Sequence, residues 1–466
     1  QILSDEYEPN QEIQIFYNGK EIPYSKRFQF PAKGLRALTF VITEDLNADK
    51  MFKNLFSLSE VEMYSANRFY ILGMESMFDN CQNLYAFSLK GFDTSEVKSL
   101  RRMFFNTQII EKLDISELTT ESVEDLSSMF EYSGVEKLDL THFDTKNVKT
   151  MNSMFKWSRS LRTLDISSFD TRNVEDMSSM FLWDERLREI DVSNFDTSKV
   201  KDMSWMFYYC SSLVSLDLSN FKTTSLTNMN RMLSYISKID YLDLSNFETS
   251  KVRDMSALFC GDKELVYLDI SSFNTSSVID TSDMFSSCLK LEELDVSHFD
   301  TKNVENMDDM FRNCQSLTSL DVSNFVTENV VSMMGTFNGL KNIKKLNLKN
   351  FVTKKVESFE ETFGYCEQLE ELDISSFTSE KVNSMIRMFS NCKSLISLDL
   401  SKFKTKNLTQ MSQMFSDCTK LEVLNIDNFN TSKITDMSEL FTGCENLKLL
   451  NLNSFDTSKV TNMYAM

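Results

Sequence analysis

The chain is poor in the residues that interrupt regular structure and in positive charge. It has 10 Gly and 3 Pro in 466 residues, and Pro9, Pro23 and Pro31 all lie near its beginning, which is therefore built differently from the rest. The formal net charge of −20 argues against a nucleic-acid partner, which needs a basic surface. No apolar run approaches the roughly 18 residues of a membrane span, so we expect none in this chain.

Catalytic motifs are also missing. The two histidines, His142 and His298, occupy equivalent places in distant copies of a repeat, so no Ser-His-Asp or Cys-His arrangement can use both. Neither G-x-x-x-x-G-K-[ST] nor G-x-G-x-x-G occurs. We therefore expect no enzyme and no cofactor.

Phenylalanine and methionine are abundant, with 38 Phe and 27 Met, because one unit is repeated. Sixteen aligned positions are 26 residues apart, except for one interval of 25: Phe52, Phe78, Phe104, Phe130, Phe155, Phe181, Phe207, Leu233, Phe259, Phe285, Phe311, Phe337, Phe363, Phe389, Phe415 and Phe441. Counting from this residue as position zero, Cys falls at +3, Leu at +6, +9 and +11, Phe at +14, Thr at +16, Val at +19 and Met at +22 and +25.

Each spacing in the repeat predicts a local structure. Alternation of polar and apolar residues from +8 to +12 predicts a short strand. The spacing of three and four in Met-x-x-Met-Phe-x-x-Cys-x-x-Leu predicts a short helical or 3₁₀ segment. One unit cannot bury its own apolar face, so we expect neighbouring units to stack as coils about 4.8 Å apart. Residues 51–466 then form a solenoid of about sixteen coils, which we expect to continue beyond Met466.

Residues 1–50 lie outside the repeat and are predicted to form a β-rich cap over the first coil. In IQIFYNGKEI, the turn Asn18-Gly19 between alternating apolar residues predicts a hairpin. The stretch FQFPAKGLRALTFVIT is expected to supply further strands.

The repeat, as in IDVSNFDTSKVKDMSWMFYYCSSL (residues 190–213), resembles that of the BspA-like leucine-rich repeat surface proteins. The resemblance covers about residues 51–466, and at least nine positions recur at fixed offsets. It implies a leucine-rich-repeat-like right-handed coil on the surface of bacteria or protists, used in adhesion and partner binding. The resemblance implies no catalytic residues, and it does not identify the ligand.

Eight of the nine cysteines lie at +3, and Cys260 lies at +1. A column of small apolar groups is the expected structure, with disulfides between adjacent coils as the alternative. Because the spacing is 26 residues instead of two to four, no zinc site is expected. The methionine columns match the core phenylalanines in their offsets and are expected to pack, not to bind metal.

Two polar columns leave alternatives open. At +10, or at the equivalent place in the short repeat, the residues are Asp114, Asp139, Asp165, Asp191, Asp217, Asp243, Asp269, Asp295, Asp321, Asp373 and Asp399. Their repulsion is relieved either by the Ser column at +12 and backbone donors, or by a bound cation such as Ca²⁺ or a basic partner. The Thr column at +16 either caps turns inside the solenoid or forms an outward array.

Position +2 is polar in most coils and is therefore expected to face solvent. In five consecutive coils it is aromatic: Tyr132, Trp157, Trp183, Tyr209 and Tyr235. An exposed stripe of this kind predicts a binding surface, although partial burial under a flanking loop would also explain it. Tyr241 and Tyr267, at +8, are a second candidate surface.

These features together predict a cell-surface or secreted adhesion or recognition protein. Its extended surface would bind a protein or glycan partner. The alternative is a structural subunit that associates with itself into a surface coat or fibre.

Overall fold

The structure, a computed structural model, describes residues 1–31, 34 and 36–466. The chain divides into two compact units, Gln1–Lys222 (unit 1) and Thr223–Met466 (unit 2). Each unit is a β-solenoid with parallel strands, and about 15 turns are present in all. The predicted repeat solenoid is therefore confirmed. The division at residue 50 into a cap and a solenoid stays a prediction.

The strands are short. Unit 1 contains β1 (Gln14–Tyr17), β2 (Lys20–Ile22), β3 (Leu38–Val41), β4 (Leu46–Asn47), β5 (Glu60–Tyr64), β6 (Ile71–Gly73), β7 (Ala86–Lys90) and β8 (Lys112–Asp114). Unit 2 contains β9 (Tyr241–Asp243), β10 (Tyr267–Asp269), β11 (Lys345–Asn347), β12 (Glu371–Asp373), β13 (Ser397–Asp399) and β14 (Val423–Asn425). The parallel sheets are β4-β6 and β5-β7-β8 in unit 1, and β9-β10, β11-β12 and β13-β14 in unit 2.

The beginning of unit 1 is an antiparallel sheet in the order β2-β1-β3. Asn18 and Gly19 join β1 to β2 with φ of 50° and 74°, the left-handed values that a tight two-residue hairpin needs. The predicted hairpin is confirmed, and β3 is one of the further strands expected from FQFPAKGLRALTFVIT. Ala32, Lys33 and Leu35 of that stretch lie outside the described residues.

Equivalent side chains form straight columns within each unit. In unit 1 the ring of Phe104 stacks on those of Phe78 and Phe130, with centroids 5.6 Å away on both sides. In unit 2 the rings of Phe285 and Phe311 are 5.7 Å apart and only 4° from parallel. These rings are fully buried. Each 26-residue repeat is therefore one coil, and neighbouring coils bury the apolar face that a single coil would expose.

The Met-Phe segment is not helical, so this part of the prediction was wrong. Turns replace the expected helical or 3₁₀ segments, and the described residues contain no helix. Ser76 and Asn80, two positions before and after Phe78, have φ of 56° and 63°. A residue in this left-handed region cannot continue a right-handed helix. The freed amides bond to the next coil instead, as the Phe78 N–H does to the Met103 carbonyl at 2.9 Å.

The threonine column at +16 lies inside the solenoid and ties neighbouring coils together. The Thr145 hydroxyl donates to the Asp170 carbonyl at 3.0 Å and accepts the Asp170 N–H at 2.8 Å. Thr145 is 1% exposed, and Thr249 makes the same pair of bonds to Asn274 in unit 2. The threonines therefore point inward, as in the first alternative. The backbone groups that they bond belong to the next coil.

The cysteine column at +3 is buried except at the half-buried Cys444, and its thiols are free. The Cys81 Sγ donates to the Phe52 carbonyl of the preceding coil at 2.9 Å, and Cys314 makes the same contact with Phe285 at 3.1 Å. Burial raises the pKa of the Cys81 thiol to about 12, which keeps it protonated and unreactive. The cysteine side chains therefore pack in the core, and each of these thiols also donates a hydrogen bond to a backbone carbonyl of the preceding coil.

Candidate binding surfaces

Five aromatic residues occupy +2, and we call them the aromatic file: Tyr132, Trp157, Trp183 and Tyr209 in unit 1, and Tyr235 in unit 2. In unit 1 the ring centroids of Tyr132 and Trp157 are 5.3 Å apart, those of Trp157 and Trp183 4.8 Å, and those of Trp183 and Tyr209 4.0 Å. The rings lie within about 22° of parallel. The structure therefore brings together the predicted members within unit 1.

Every member of the aromatic file has a left-handed backbone, with φ of 58° at Tyr132, 61° at Trp157, 65° at Trp183, 62° at Tyr209 and 58° at Tyr235. Apart from Tyr365, the same position in other coils carries Asn, Ser, Asp or Gly with similar φ. Gly tolerates this conformation, and Asn and Asp visit it more readily than bulky residues do. The polar residues at +2 therefore reflect the sign of φ, not simply contact with water as the sequence analysis assumed.

The file is only partly exposed. Tyr132 is 37% exposed, and the other four members are half-buried. Stacking covers the faces of the inner rings. In unit 1 Phe105 meets Tyr132 in an edge-on contact at 5.9 Å, and in unit 2 a Cβ on Gly261 would lie 2.5 Å from the Tyr235 ring. A partner would therefore meet mainly ring edges, because the faces are covered by neighbouring groups.

Arg159 adds a positive charge that the sequence analysis missed. Its guanidinium carbon lies 4.0 Å from the centroid of Trp157 and 5.8 Å from that of Trp183. A guanidinium nitrogen is also 3.8 Å from a Glu185 carboxylate oxygen. A cation over an aromatic face is attracted by the ring quadrupole. The sequence signal was the position of Arg159 two residues after Trp157, on the same bend.

Tyr241 and Tyr267, which we call the tyrosine pair, lie on the outer face of β9 and β10. They are 56% and 48% exposed. Their rings are 4.9 Å apart and 6° from parallel, because β9 and β10 pair in register. Val266, which precedes Tyr267, is 40% exposed. This second predicted surface is more accessible than the aromatic file, and its role in binding is a prediction.

Hydroxyl and amide donors stabilise the carboxylates of the aspartate column. The Asp165 Oδ1 accepts the Ser167 N–H at 3.0 Å and the Ser167 hydroxyl at 2.7 Å. Hydrogen bonding to Ser167 lowers the pKa of Asp165 below its usual range. Every aspartate of the column accepts a hydrogen bond from the backbone N–H of the residue two positions later: Asp114, Asp139, Asp165, Asp191, Asp217, Asp243, Asp269, Asp295, Asp321, Asp373 and Asp399. These bonds are the compensation expected from the Ser column and backbone donors, and a bound cation or a basic partner stays a prediction.

The histidines are corner residues. The Nε2 of His142 lies 2.9 Å from the Ile115 carbonyl, and its ring meets Phe143 edge-on. The Nε2 of His298 lies 3.2 Å from the Ile270 carbonyl in the same arrangement. Within the described residues, no group of three or more His, Cys, Asp or Glu side chains could hold a metal ion. No helix in that part of the chain is long and apolar enough to cross a membrane.

The fold defines a repeat solenoid of the leucine-rich type. The family model described as "Mycoplasma protein of unknown function, DUF285" matches overlapping stretches that together span residues 46–466: residues 46–156, 132–242, 235–346, 316–423 and 409–466. The chain belongs to this family. No protein with a curated description matches the chain.

Three of the solved structures similar to this chain are bacterial leucine-rich repeat proteins. One from Bacteroides ovatus is 16% identical, with 97% of this chain and 98% of that chain covered and a TM-score of 0.36. One from Eubacterium ventriosum is 15% identical, with 91% and 90% covered and a TM-score of 0.28. A leucine-rich cell surface protein from Faecalibacterium prausnitzii is 14% identical, with 99% and 95% covered and a TM-score of 0.25. Likeness at this level supports no argument about function, and the BspA-like resemblance stays a prediction.

Proposed function

We propose that this chain is a recognition protein, presented at the cell surface or secreted, that binds a partner protein or glycan without catalysing a reaction. One observation carries the proposal. The aromatic file places five bulky rings at a left-handed backbone position that other coils fill mainly with Asn, Ser, Asp or Gly. Left-handed φ costs an L-residue roughly 1–2 kcal/mol, and strain of this kind clusters at binding and catalytic sites.

The geometry favours a protein over a sugar stacked on a ring face. Neighbouring rings cover the faces of Trp157 and Trp183, and the Arg159 guanidinium lies over Trp157. What remains accessible is a row of ring edges beside one guanidinium. Such a surface offers apolar contact together with hydrogen-bond donors, and Trp, Tyr and Arg are the residues that dominate the energetics of protein interfaces.

The test is binding of the whole chain to arrayed extracellular proteins and glycans, comparing wild type with the variant Trp157→Asn/Trp183→Asn. Asn occupies the same position with the same φ at Asn80 and Asn106, so the coil should be kept. We expect binding to at least one array member to fall by tenfold or more.

The matched control is Tyr365→Asn, which makes the same kind of change at an isolated aromatic of the same position. It should leave binding unchanged. Equal binding by wild type and the double tryptophan variant, with the fold intact by circular dichroism, would refute the aromatic file as the contact surface.

A further inference from the structure

The tyrosine pair is the surface whose partner can be described chemically. Its rings stand side by side on β9 and β10, 4.9 Å apart, and about half of each residue is open to solvent. The strand residues between the outward positions, such as Leu242 and Leu268, are buried in the core. The two rings therefore rest on a well-packed base.

Carboxylates surround the tyrosine pair. The strand segments of three successive coils are Asp-Tyr-Leu-Asp-Leu-Ser (240–245), Val-Tyr-Leu-Asp-Ile-Ser (266–271) and Glu-Glu-Leu-Asp-Val-Ser (292–297). They contain no Lys or Arg, and their acidic residues are exposed or half-buried: Asp240, Asp243, Asp269, Glu292, Glu293 and Asp295. The outer face of this part of unit 2 is therefore aromatic and negative.

The local hydrogen bonds keep this charge in place. The Ser271 hydroxyl and amide lower the pKa of Asp269, and those of Ser297 lower the pKa of Asp295. The negative charge of Asp269 in turn raises the pKa of the Tyr267 hydroxyl. Asp269 and Asp295 consequently stay ionised, and the Tyr267 phenol stays neutral, at any physiological pH.

Nearby cations do not cancel the charge. Lys290 is bound to Glu264 at the bend before the strands, and Lys238 and Lys263 also lie on bends instead of on the strand segments. The corresponding segment of a later coil, Lys-Lys-Leu-Asn-Leu-Lys (344–349), shows that the repeat accepts lysines at these positions. Their absence beside the tyrosine pair is therefore not imposed by the fold.

We propose that the tyrosine pair is a docking surface for an arginine-bearing cationic segment of a partner protein. A guanidinium is planar, stacks on an aromatic face and bonds carboxylates in two places at once. The tyrosine pair and the carboxylates around it offer both kinds of contact on one exposed strand face. The inference rests on the proposed recognition function, and it names the chemical class of one partner.

The experiment measures binding of a short arginine-serine peptide, and of a lysine-serine peptide of equal charge, by fluorescence polarisation at near-physiological salt. Wild type should bind the arginine peptide more tightly than the lysine peptide. The variant Tyr241→Ser/Tyr267→Ser should bind the arginine peptide about tenfold more weakly, and it should lose the preference for arginine. Serine occupies the same strand position at Ser319 and Ser397, so the coils should remain folded.

The control variant is Val423→Ser, which removes a 54% exposed apolar side chain from the same strand position of β14. It should not change peptide binding. Equal affinities of wild type for the two peptides would show simple counter-ion attraction to a chain of charge −20 and would overturn the proposal. An unchanged affinity in the double tyrosine variant would overturn it as well.

The two proposals fail separately. The variant Trp157→Asn/Trp183→Asn should keep its preference for the arginine peptide even where it no longer binds the array. Peptide binding that depends on the tyrosine pair, without any array binding that depends on the tryptophans, would leave this inference standing and refute the aromatic file as a contact surface.

Discussion

At the scale of single residues, Trp157 and Trp183 show two opposing effects at one position. Their φ values of 61° and 65° are unfavourable for bulky L-residues, while their rings stack at 4.8 Å and pack beneath Arg159. Aromatic stacking contributes about 0.5–1.5 kcal/mol beyond burial, and the left-handed backbone costs roughly 1–2 kcal/mol. The stacking and backbone contributions are similar in size and opposite in sign.

The first prediction compares two replacements of Trp157. Trp157→Asn should change the free energy of unfolding by no more than about 1 kcal/mol, because Asn relieves the strain that the lost ring had offset. Trp157→Ala loses the ring without gaining a residue suited to left-handed φ, and it should be less stable than the Asn variant by about 1 kcal/mol. Urea unfolding measures both. Equal stabilities of the two variants would show that backbone strain is not important here.

Two buried carboxyl groups interrupt the cysteine column. Asp184 and Asp262 stand at +3 and are essentially unexposed. The Asp184 Oδ1 accepts the Ser158 N–H at 2.8 Å, while its Oδ2 is buried without a hydrogen-bond partner. Burial raises the pKa of Asp184 well above its usual value. Protonation would give Oδ2 an O–H donor, as the cysteine thiol provides an S–H donor at this position in other coils.

The second prediction follows from the sign of this pKa shift. Because the folded pKa is higher than the unfolded one, the stability contributed by neutral Asp184 is complete below the unfolded pKa and is lost as the pH rises through the folded pKa. Asp184→Cys should therefore stabilise the chain at high pH, by on the order of 1–3 kcal/mol, and by progressively less as the pH falls. Urea unfolding under reducing conditions across a pH series measures the difference. A difference that does not vary with pH would contradict the expected titration.

At the scale of the repeated element, the corner threonines hold coil to coil. Thr145 satisfies both the N–H and the carbonyl of Asp170, and Ser379 shows that a serine hydroxyl can accept the equivalent bond, from the Lys404 N–H at 2.8 Å. The hydroxyl therefore matters more than the methyl group at this position.

The third prediction separates these two groups. Thr145→Val keeps the shape but leaves two backbone groups without partners, and it should destabilise the chain by about 2–6 kcal/mol, at about 1–3 kcal/mol for each group. Thr145→Ser keeps the hydroxyl and should cost about 1 kcal/mol for the lost methyl group. Thermal or urea unfolding distinguishes them. A serine variant as unstable as the valine variant would mean that packing, and not hydrogen bonding, dominates the corner.

At the scale of the whole molecule, the fourth prediction concerns self-association. A chain with a formal charge of −20 repels its own copies, and a recognition protein has no need to polymerise. Light scattering after size exclusion should give a mass near 54.1 kDa that does not depend on concentration. A mass that increases with concentration would favour the alternative, a subunit of a surface coat or fibre.

Much of the fold could be predicted, because a 26-residue period repeats one set of local choices and one set of contacts between neighbouring coils. The Phe78 stack, the Asn18-Gly19 hairpin and the buried cysteines all follow from spacing and residue type. The Met-Phe segment could not be assigned correctly, because a spacing of three and four suits a helix and a chain of turns equally well. The left-handed φ at Ser76 and Asn80 excludes the helix.

The sequence by itself determined the period, the columns and the two groups of aromatic residues. Only the tertiary structure decided that Tyr132 to Tyr235 occupy a left-handed backbone position, that their faces are largely covered, and that Tyr241 and Tyr267 are the more open rings. The reason is physical. The period and the polarity of each position can be read from the order of residues along the chain. The sign of φ and the exposure of a ring depend instead on hydrogen bonds and stacking with the next coil.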